Sequence, residues 1–201
     1  TDLLPVIDTS ASETKKIKLS NLPMSNSAIE QSYAYTTDFQ SGTEQTRSLT
    51  TITNSSGYYG NSNLTSVYIG SHVTSIGSSS FFACTSLTSI TISNKVTSIG
   101  NSAFNDCRTL PSINIPDSVT SLGQSLFASC AALASVTIGN SVTSIGNYAI
   151  KTCTSLVSIT IPDSVTSIGN EAFKFSDNLA TVNCLATSAP TLGSNAFSNT
   201  S

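Results

Sequence analysis

The sequence predicts a β-rich solenoid, in which short coils of similar sequence stack on one another. Aligned on itself, the chain repeats every 23 residues, and six copies begin at Leu64, Leu87, Leu110, Leu133, Leu156 and Leu179. In the first five copies the apolar residues recur in one order and a glycine recurs at one position. Such periodicity is typical of repeats that bury their apolar side chains only by stacking.

One copy, residues 87–109, shows how a coil is built. Its apolar residues follow a fixed order: Leu87, Ile90, Ile92, Val96, Ile99, Phe104 and Cys107. The β-branched alternation over residues 89–92 predicts a short strand with Ile90 and Ile92 pointing inward. A turn follows at residues 93–94, where two other copies have Pro-Asp, and residues 96–99 predict a second extended piece.

A glycine ends the second extended piece in every copy: Gly77, Gly100, Gly123, Gly146, Gly169 and, one residue late, Gly193. Its recurrence predicts a backbone corner that needs either a positive φ angle or close approach of a neighbouring chain segment. After the corner, Asn101 and Ser102 can begin a single helical or 3₁₀ turn that points Phe104 and Cys107 inward. A lone coil buries too few side chains to offset its conformational entropy, so the coils must stack.

The consensus LxSITIPxSVTSIGxxAFxxC resembles the BspA-like leucine-rich repeats, the 23-residue type of bacterial surface proteins and some protozoan ones. The match covers about two thirds of the chain. The resemblance implies a leucine-rich-repeat solenoid, a right-handed horseshoe of short strands and short helical or 3₁₀ turns with a strand-lined concave face. It also implies an extracellular or cell-surface location and adhesion to host proteins or other cells. No signal or anchor is visible in this chain.

Composition divides the chain into a predicted N-terminal cap or attachment segment, residues 1–63, and a solenoid, residues 64–201. Residues 1–63 hold ten of the nineteen charged residues. Residues 3–7 and 15–19 alternate as strands do, 21–31 fit a helix, and 49–52 look like part of a truncated repeat. Some of this segment should cover the exposed edge of the first coil. The sixth copy, with one inserted residue and Cys184 in place of isoleucine, predicts a cap at the other end.

Charge is scarce: 9% of residues are charged, against about 25% in typical soluble domains. A net charge of −3 with eight basic residues cannot neutralise a run of phosphates, which argues against a nucleic-acid partner. No stretch reaches the roughly 18 apolar residues of a membrane helix, so membrane insertion is not expected in this segment.

Neither a catalytic nor a metal site is predicted, and no cofactor is expected. Four of the five cysteines recur at one repeat position, which favours a column of buried thiols over zinc ligands in C-x₂₋₄-C pairs. His72 is the only histidine, and it falls in a variable turn, so a catalytic triad lacks its base. Asp117 and Asp163 occupy equivalent turns and read as turn formers instead of paired catalytic carboxylates. The sequence therefore predicts a protein that is not an enzyme.

The outward strand positions are the predicted ligand-binding surface on the concave face: Ser66, Tyr68, Ser89, Thr91, Ser112, Asn114, Ser135, Thr137, Ser158 and Thr160. Tyr58 and Tyr59 are predicted to form an aromatic rim beside it. This neutral, hydroxyl-rich surface can hydrogen-bond a protein or a glycan, although hot spots favour Tyr, Trp and Arg. Serine and threonine are also ordinary solvated strand residues, and that simpler interpretation stays open.

Three functions fit these features. The first is a surface-displayed or secreted module that binds protein or glycan on another cell or host matrix. The second is a phage-type host-attachment protein, because residues 1–22 are similar to segments of phage tail fibres. The third is a structural or ice-binding-like hydroxyl array formed by the stacked threonines at 74, 97, 120, 143 and 166.

Overall fold

The computed structural model describes three strands at residues 34–38, 43–47 and 51–52 and the continuous segment 58–200. Over this part of the chain the fold is a parallel β-solenoid of about six turns, as the repeat predicted. We number the coils one to six from their first leucines, residues 64, 87, 110, 133, 156 and 179. The strands predicted at 3–7 and 15–19, the helix predicted at 21–31 and the tail-fibre-like segment lie outside the described residues.

Fifteen strands are described, and no helix is found among the described residues. In chain order the strands are β1 (Ala34–Asp38), β2 (Thr43–Arg47), β3 (Thr51–Ile52), β4 (Leu64–Ile69), β5 (Ser75–Ile76), β6 (Ser89–Ile92), β7 (Ser98–Ile99), β8 (Ser112–Asn114), β9 (Ser121–Leu122), β10 (Ser135–Thr137), β11 (Ser144–Ile145), β12 (Ser158–Ile161), β13 (Ser167–Ile168), β14 (Thr181–Cys184) and β15 (Thr191–Leu192).

The longer strand of each coil lies beside that of the next coil, and together they form the first sheet: β4, β6, β8, β10, β12 and β14. They pair in register one repeat apart, so Val67 lies opposite Ile90 and Ile113 opposite Val136. The hydrogen-bonded groups are β2-β1-β4-β6, β8-β10 and β12-β14. Pro111 lacks the N–H that Ala134, at the same position one coil later, donates to the coil before it, which helps to explain the break between β6 and β8.

The two-residue strands form a second sheet, in the groups β3-β5-β7 and β9-β11-β13-β15. The recurrent glycine follows each of these strands and answers the question that the sequence left open. A Cβ atom on Gly146 would lie 2.8 Å from the carbonyl carbon of Gly123. Close stacking of successive corners is therefore what requires the glycine. A positive φ angle is not the reason, because among the described glycines only Gly60 has one.

The segment after each glycine differs from the predicted helical or 3₁₀ turn. It forms successive turns, with i to i+3 bonds such as Asn105 N–H to Ser102 O at 3.1 Å. Two non-glycine residues per coil, Ser102 and Asp106 in coil two, adopt left-handed φ angles of 56° and 63°. Both donate N–H bonds of 2.8 Å to the following coil, which offsets the local strain. We call this side of the solenoid, residues 78–83 and their equivalents, the turn face.

The core consists of columns of identical residues, as the repeat predicted. Leu87, Leu110 and Leu133 are all fully buried. The aromatic column is stacked from coil to coil, with ring centroids 5.4 Å apart for Phe81 and Phe104. It is interrupted at coil four by Ile150, the equivalent residue there.

The two ends of the solenoid are built differently. At the N-terminal side, β1 pairs antiparallel with β4, so β1 occupies the edge of the first coil. Strand β3 pairs parallel with β5, so residues 51–52 extend the second sheet one position before coil one. Coil six does not form the predicted cap, since Val182, Leu185 and Leu192 are 41%, 55% and 59% exposed. The domain boundary at residue 63 stays a prediction.

Candidate functional site

The strand face, which we define as the outward side chains of the first sheet, holds the predicted binding residues. The strand pairing places Ser66 opposite Ser89 and Tyr68 opposite Thr91, and places Ser112 opposite Ser135 and Asn114 opposite Thr137. Ser158 and Thr160 continue the same two columns into coil five. From Ser89 onward these side chains are exposed, whereas Ser66 and Tyr68 are partly buried.

A depression of about 540 Å³ opens on the strand face at coils three to five. Five of the predicted residues line it: Asn114, Ser135, Thr137, Ser158 and Thr160. The adjoining turns supply an apolar wall from Pro116, Pro162 and Leu185. The structure thus gathers the C-terminal half of the predicted surface into one concave site, and leaves Ser66, Tyr68, Ser89, Thr91 and Ser112 outside it.

The turns also bring a carboxylate to this depression. Asp117 Oδ1 accepts a 2.7 Å hydrogen bond from the backbone N–H of Asn140, and both residues line the site. This bond holds Asp117 in place across neighbouring coils. The sequence predicts Asp117 only as a turn former, because the repeat pattern does not encode where this turn lies relative to the strand face.

The hydroxyls of the two sheets differ in their hydrogen bonding. In the second sheet, threonine Oγ1 atoms donate to the carbonyl of the preceding coil, as in Thr97 to Thr74 and Thr143 to Thr120 at 3.2 and 3.1 Å. In the depression, Thr137 and Thr160 make no side-chain hydrogen bond to another described residue. Their donors and acceptors are therefore open to a ligand.

The predicted aromatic rim is wrong for Tyr58. This tyrosine is 3% exposed and stacks on Phe81 at 5.3 Å, because it occupies the aromatic core position one coil earlier. Tyr59 is 55% exposed but stacks on Phe82, on the turn face. Tyr68 lies between β1 and β6 on the strand face. The signal was present in the sequence, since Tyr58-Tyr59-Gly60 precedes Phe81-Phe82-Ala83 by one period.

The four repeated cysteines form the predicted column of buried thiols. Each Sγ donates to a carbonyl 26 residues earlier, for example Cys107 to Phe81 O at 3.2 Å. Burial raises the pKa of Cys84 and of Cys130 to about 12, so these thiols are protonated and unreactive at neutral pH. Within residues 58–200 no disulfide and no group of three metal-ligating side chains is found.

The turn face carries a charged cluster that the sequence analysis did not identify. Glu171 accepts hydrogen bonds from Lys151 Nζ at 2.8 Å and lies 3.2 Å from Lys174 Nζ. The Lys151 bond lowers the pKa of Glu171. Both lysines also lie over the Phe175 ring, at 5.6 and 5.0 Å. These residues come from neighbouring coils and satisfy one another, so the cluster ties coils four and five together.

Other predicted features behave as solvated turns. His72 and Asp163 are both exposed in turns between the two sheets. In the part of the chain that the structure describes, no helix is long and apolar enough to span a membrane.

Solved structures with similar folds come from bacteria. A leucine rich cell surface protein from Faecalibacterium prausnitzii is 31% identical with a TM-score of 0.57, and the match covers 73% of this chain and 45% of that protein. The T. pallidum leucine rich repeat protein is also 31% identical, with a TM-score of 0.67 and coverages of 71% and 66%. A leucine-rich repeat protein from Bacteroides ovatus is 26% identical, with a TM-score of 0.56 and coverages of 78% and 46%.

This chain therefore spans less than half of the F. prausnitzii and B. ovatus proteins and about two thirds of the T. pallidum one. A comparison with curated proteins finds no match. The family model described as the BspA type leucine rich repeat region, in six copies, matches residues 7–110 and 74–201. Sequence match, coil geometry and structural similarity agree, and the chain belongs to the BspA-type leucine-rich-repeat family.

Proposed function

We propose that this protein is a non-enzymatic binding module that recognises a partner on another cell or on host matrix through its strand face. The depression at coils three to five carries the proposal. It combines unengaged hydroxyl and amide groups with an apolar wall, the mixture that small recognition sites use for affinity and orientation. Display at the cell surface, as for the F. prausnitzii cell surface protein, would give the site access to such a partner.

Adhesion fits the chemistry of the described residues better than catalysis does. The histidine at residue 72 lies in a turn, and four thiols are buried and protonated. Asp117 is the one ionisable group that lines the depression. General acid–base chemistry on a substrate there would lack a second titratable partner.

Binding should be screened on a glycan array and on immobilised matrix proteins. Thr137→Arg fills the depression with a bulky charged side chain, and we expect at least about a tenfold loss of affinity for the ligand that the screen identifies. Tyr68→Ala tests the aromatic residue at the other end of the strand face.

Gln124→Arg is the matched control, because Gln124 is exposed and lies where the second sheet joins the turn face. Circular dichroism should show that all variants fold. If Gln124→Arg abolishes binding and Thr137→Arg does not, the ligand occupies another face and the proposal fails.

The hydroxyl-array alternative has less support. Of the five threonines in this predicted array, those at 97, 143 and 166 donate their hydroxyl protons to the preceding coil, so most of these hydroxyls are already used within the solenoid. The phage-type alternative depends on residues 1–22, which lie outside the described residues.

A further inference from the structure

We propose that the depression on coils three to five binds a basic side chain, lysine or arginine, of a partner protein. This inference rests on the proposed function and names the ligand chemistry of the same site. The geometry comes from two features: a carboxylate fixed at the rim, and hydroxyl and amide oxygens along the floor.

The charge of the depression fits a cation. Asp117 is the only charged residue that lines it. One carboxylate oxygen, Oδ1, is held by the Asn140 N–H at 2.7 Å. The other, Oδ2, accepts no hydrogen bond from a described residue and is available for an ammonium or guanidinium group.

The neighbouring turns leave this charge uncompensated. Lys95 lies in the equivalent turn of coil two but forms none of the described ion pairs. Asp163, two coils after Asp117 in the same turn position, adds a second exposed negative charge. Together these turns carry two carboxylates and one ammonium group, which favours a positively charged ligand.

The floor completes the coordination that a basic group needs. Lysine offers three N–H donors and arginine five, and neither has an acceptor. Asn114 and Thr137 present oxygen acceptors on paired strands about 4.8 Å apart, and Thr160 presents another in the next coil. The methylene stem of the ligand side chain can pack on the wall formed by Pro116 and Pro162.

Other ligand classes fit less well. An anionic group would meet Asp117 without a lining lysine or arginine to offset the repulsion. A sugar ring would find no aromatic side chain among the lining residues on which to stack. A basic segment of a partner protein uses both the carboxylate and the neutral oxygens.

The test is an NMR titration of the full ¹⁵N-labelled chain with the methylamide of Nα-acetyl-lysine. The matched probe, the methylamide of Nα-acetyl-norleucine, has a similar stem without the charge. We expect the lysine probe alone to shift the amide signals of Asn114, Thr137 and Thr160, and added salt to weaken the effect. Asp117→Asn keeps the acceptor for Asn140 and should weaken lysine binding about fivefold.

Two further variants control the interpretation. Lys95→Gln removes a nearby like charge and should strengthen lysine binding about twofold. Asp106→Asn removes a carboxylate that pairs with Arg108 on the turn face and should leave binding unchanged.

Equal shifts by both probes, or unchanged lysine binding in Asp117→Asn, would overturn the basic ligand while leaving the depression as a binding site. If N-acetylglucosamine shifts these amide signals and the lysine probe does not, the basic ligand is likewise overturned and a sugar takes its place. The proposed function fails separately, when Thr137→Arg leaves partner capture intact.

Discussion

Alkaline pH should destabilise this protein through its buried thiols. Four cysteines occupy one core column, and burial raises the pKa of Cys84 and of Cys130 to about 12 and raises that of Cys107 and Cys153 as well. In the unfolded chain a thiol ionises near its ordinary value of 9.0. Above that pH the unfolded state binds fewer protons than the folded state, so stability falls until the pH passes the folded pKa values.

The magnitude follows from this difference in bound protons. Each thiol that stays protonated in the folded state lowers the free energy of unfolding by slightly more than about 1 kcal/mol between pH 8 and pH 10. Four thiols together lower it by about 5 kcal/mol, a large share of the roughly 5–15 kcal/mol that stabilises a typical domain. Below pH 8 the effect should be negligible.

Urea unfolding at pH 8, 9 and 10 in the presence of a reductant measures this effect. The reference is the quadruple serine variant of Cys84, Cys107, Cys130 and Cys153. Serine suits this column, because Ser176 occupies it in coil five and donates to Ile150 O at 2.9 Å. Wild type should lose about 5 kcal/mol more than the variant across this range.

If the quadruple variant does not fold, Cys107→Ser alone should remove about a quarter of the pH dependence. All ionisable groups other than these thiols are common to wild type and variants, so their contributions cancel in the comparison. Parallel losses of stability in wild type and variants would refute the reasoning that the thiols stay buried and protonated.

Four further substitutions test the packing of the coils and the charged cluster of the turn face. Gly146→Ala should destabilise by about 2 kcal/mol or more, since its Cβ would meet the preceding corner, whereas Gly60→Ala, with open space around it, should show only the effect of its positive φ, about 1 kcal/mol. Phe104→Ala should lower the free energy of unfolding by about 3–5 kcal/mol. Because the Lys151 hydrogen bond lowers the pKa of Glu171, Glu171→Gln should be less stable than wild type at pH 7, and the two should converge below the folded pKa. Chemical denaturation measures the stability of all four variants.

The repeat predicted the core because stacking forces identical residues into columns. Leu87 and Phe104 could be placed inward from one coil alone, since burial repeats with the period. The left-handed residues of the turn face could not be predicted in this way. The first of the two positions holds serine, tyrosine, glutamate or asparagine, and the second holds alanine, aspartate, serine, threonine, phenylalanine or asparagine, so no glycine marks them.

The candidate site could be predicted only in part, and for a physical reason. Alternation along the strands identified Asn114 and Thr137 as outward residues, but it did not distinguish the coils that form the depression from the others. The depression arises where the adjoining turns change from one coil to the next, with Pro116, Gly139 and Pro162 at one repeat position. A pattern that describes what the coils share cannot show where they differ.

Hydrogen bonding separates the two hydroxyl-rich surfaces more clearly than composition does. Thr97, just before β7, and Thr137, within β10, are both exposed, yet the first donates its hydroxyl to the preceding coil and the second does not. A hydroxyl that already completes the scaffold contributes to stability, and a ligand would have to break that bond to use its proton. A hydroxyl without such a bond can bind a ligand while the coils stay intact. Recognition on this solenoid is therefore expected on the strand face, where ligand contacts and coil stacking do not compete.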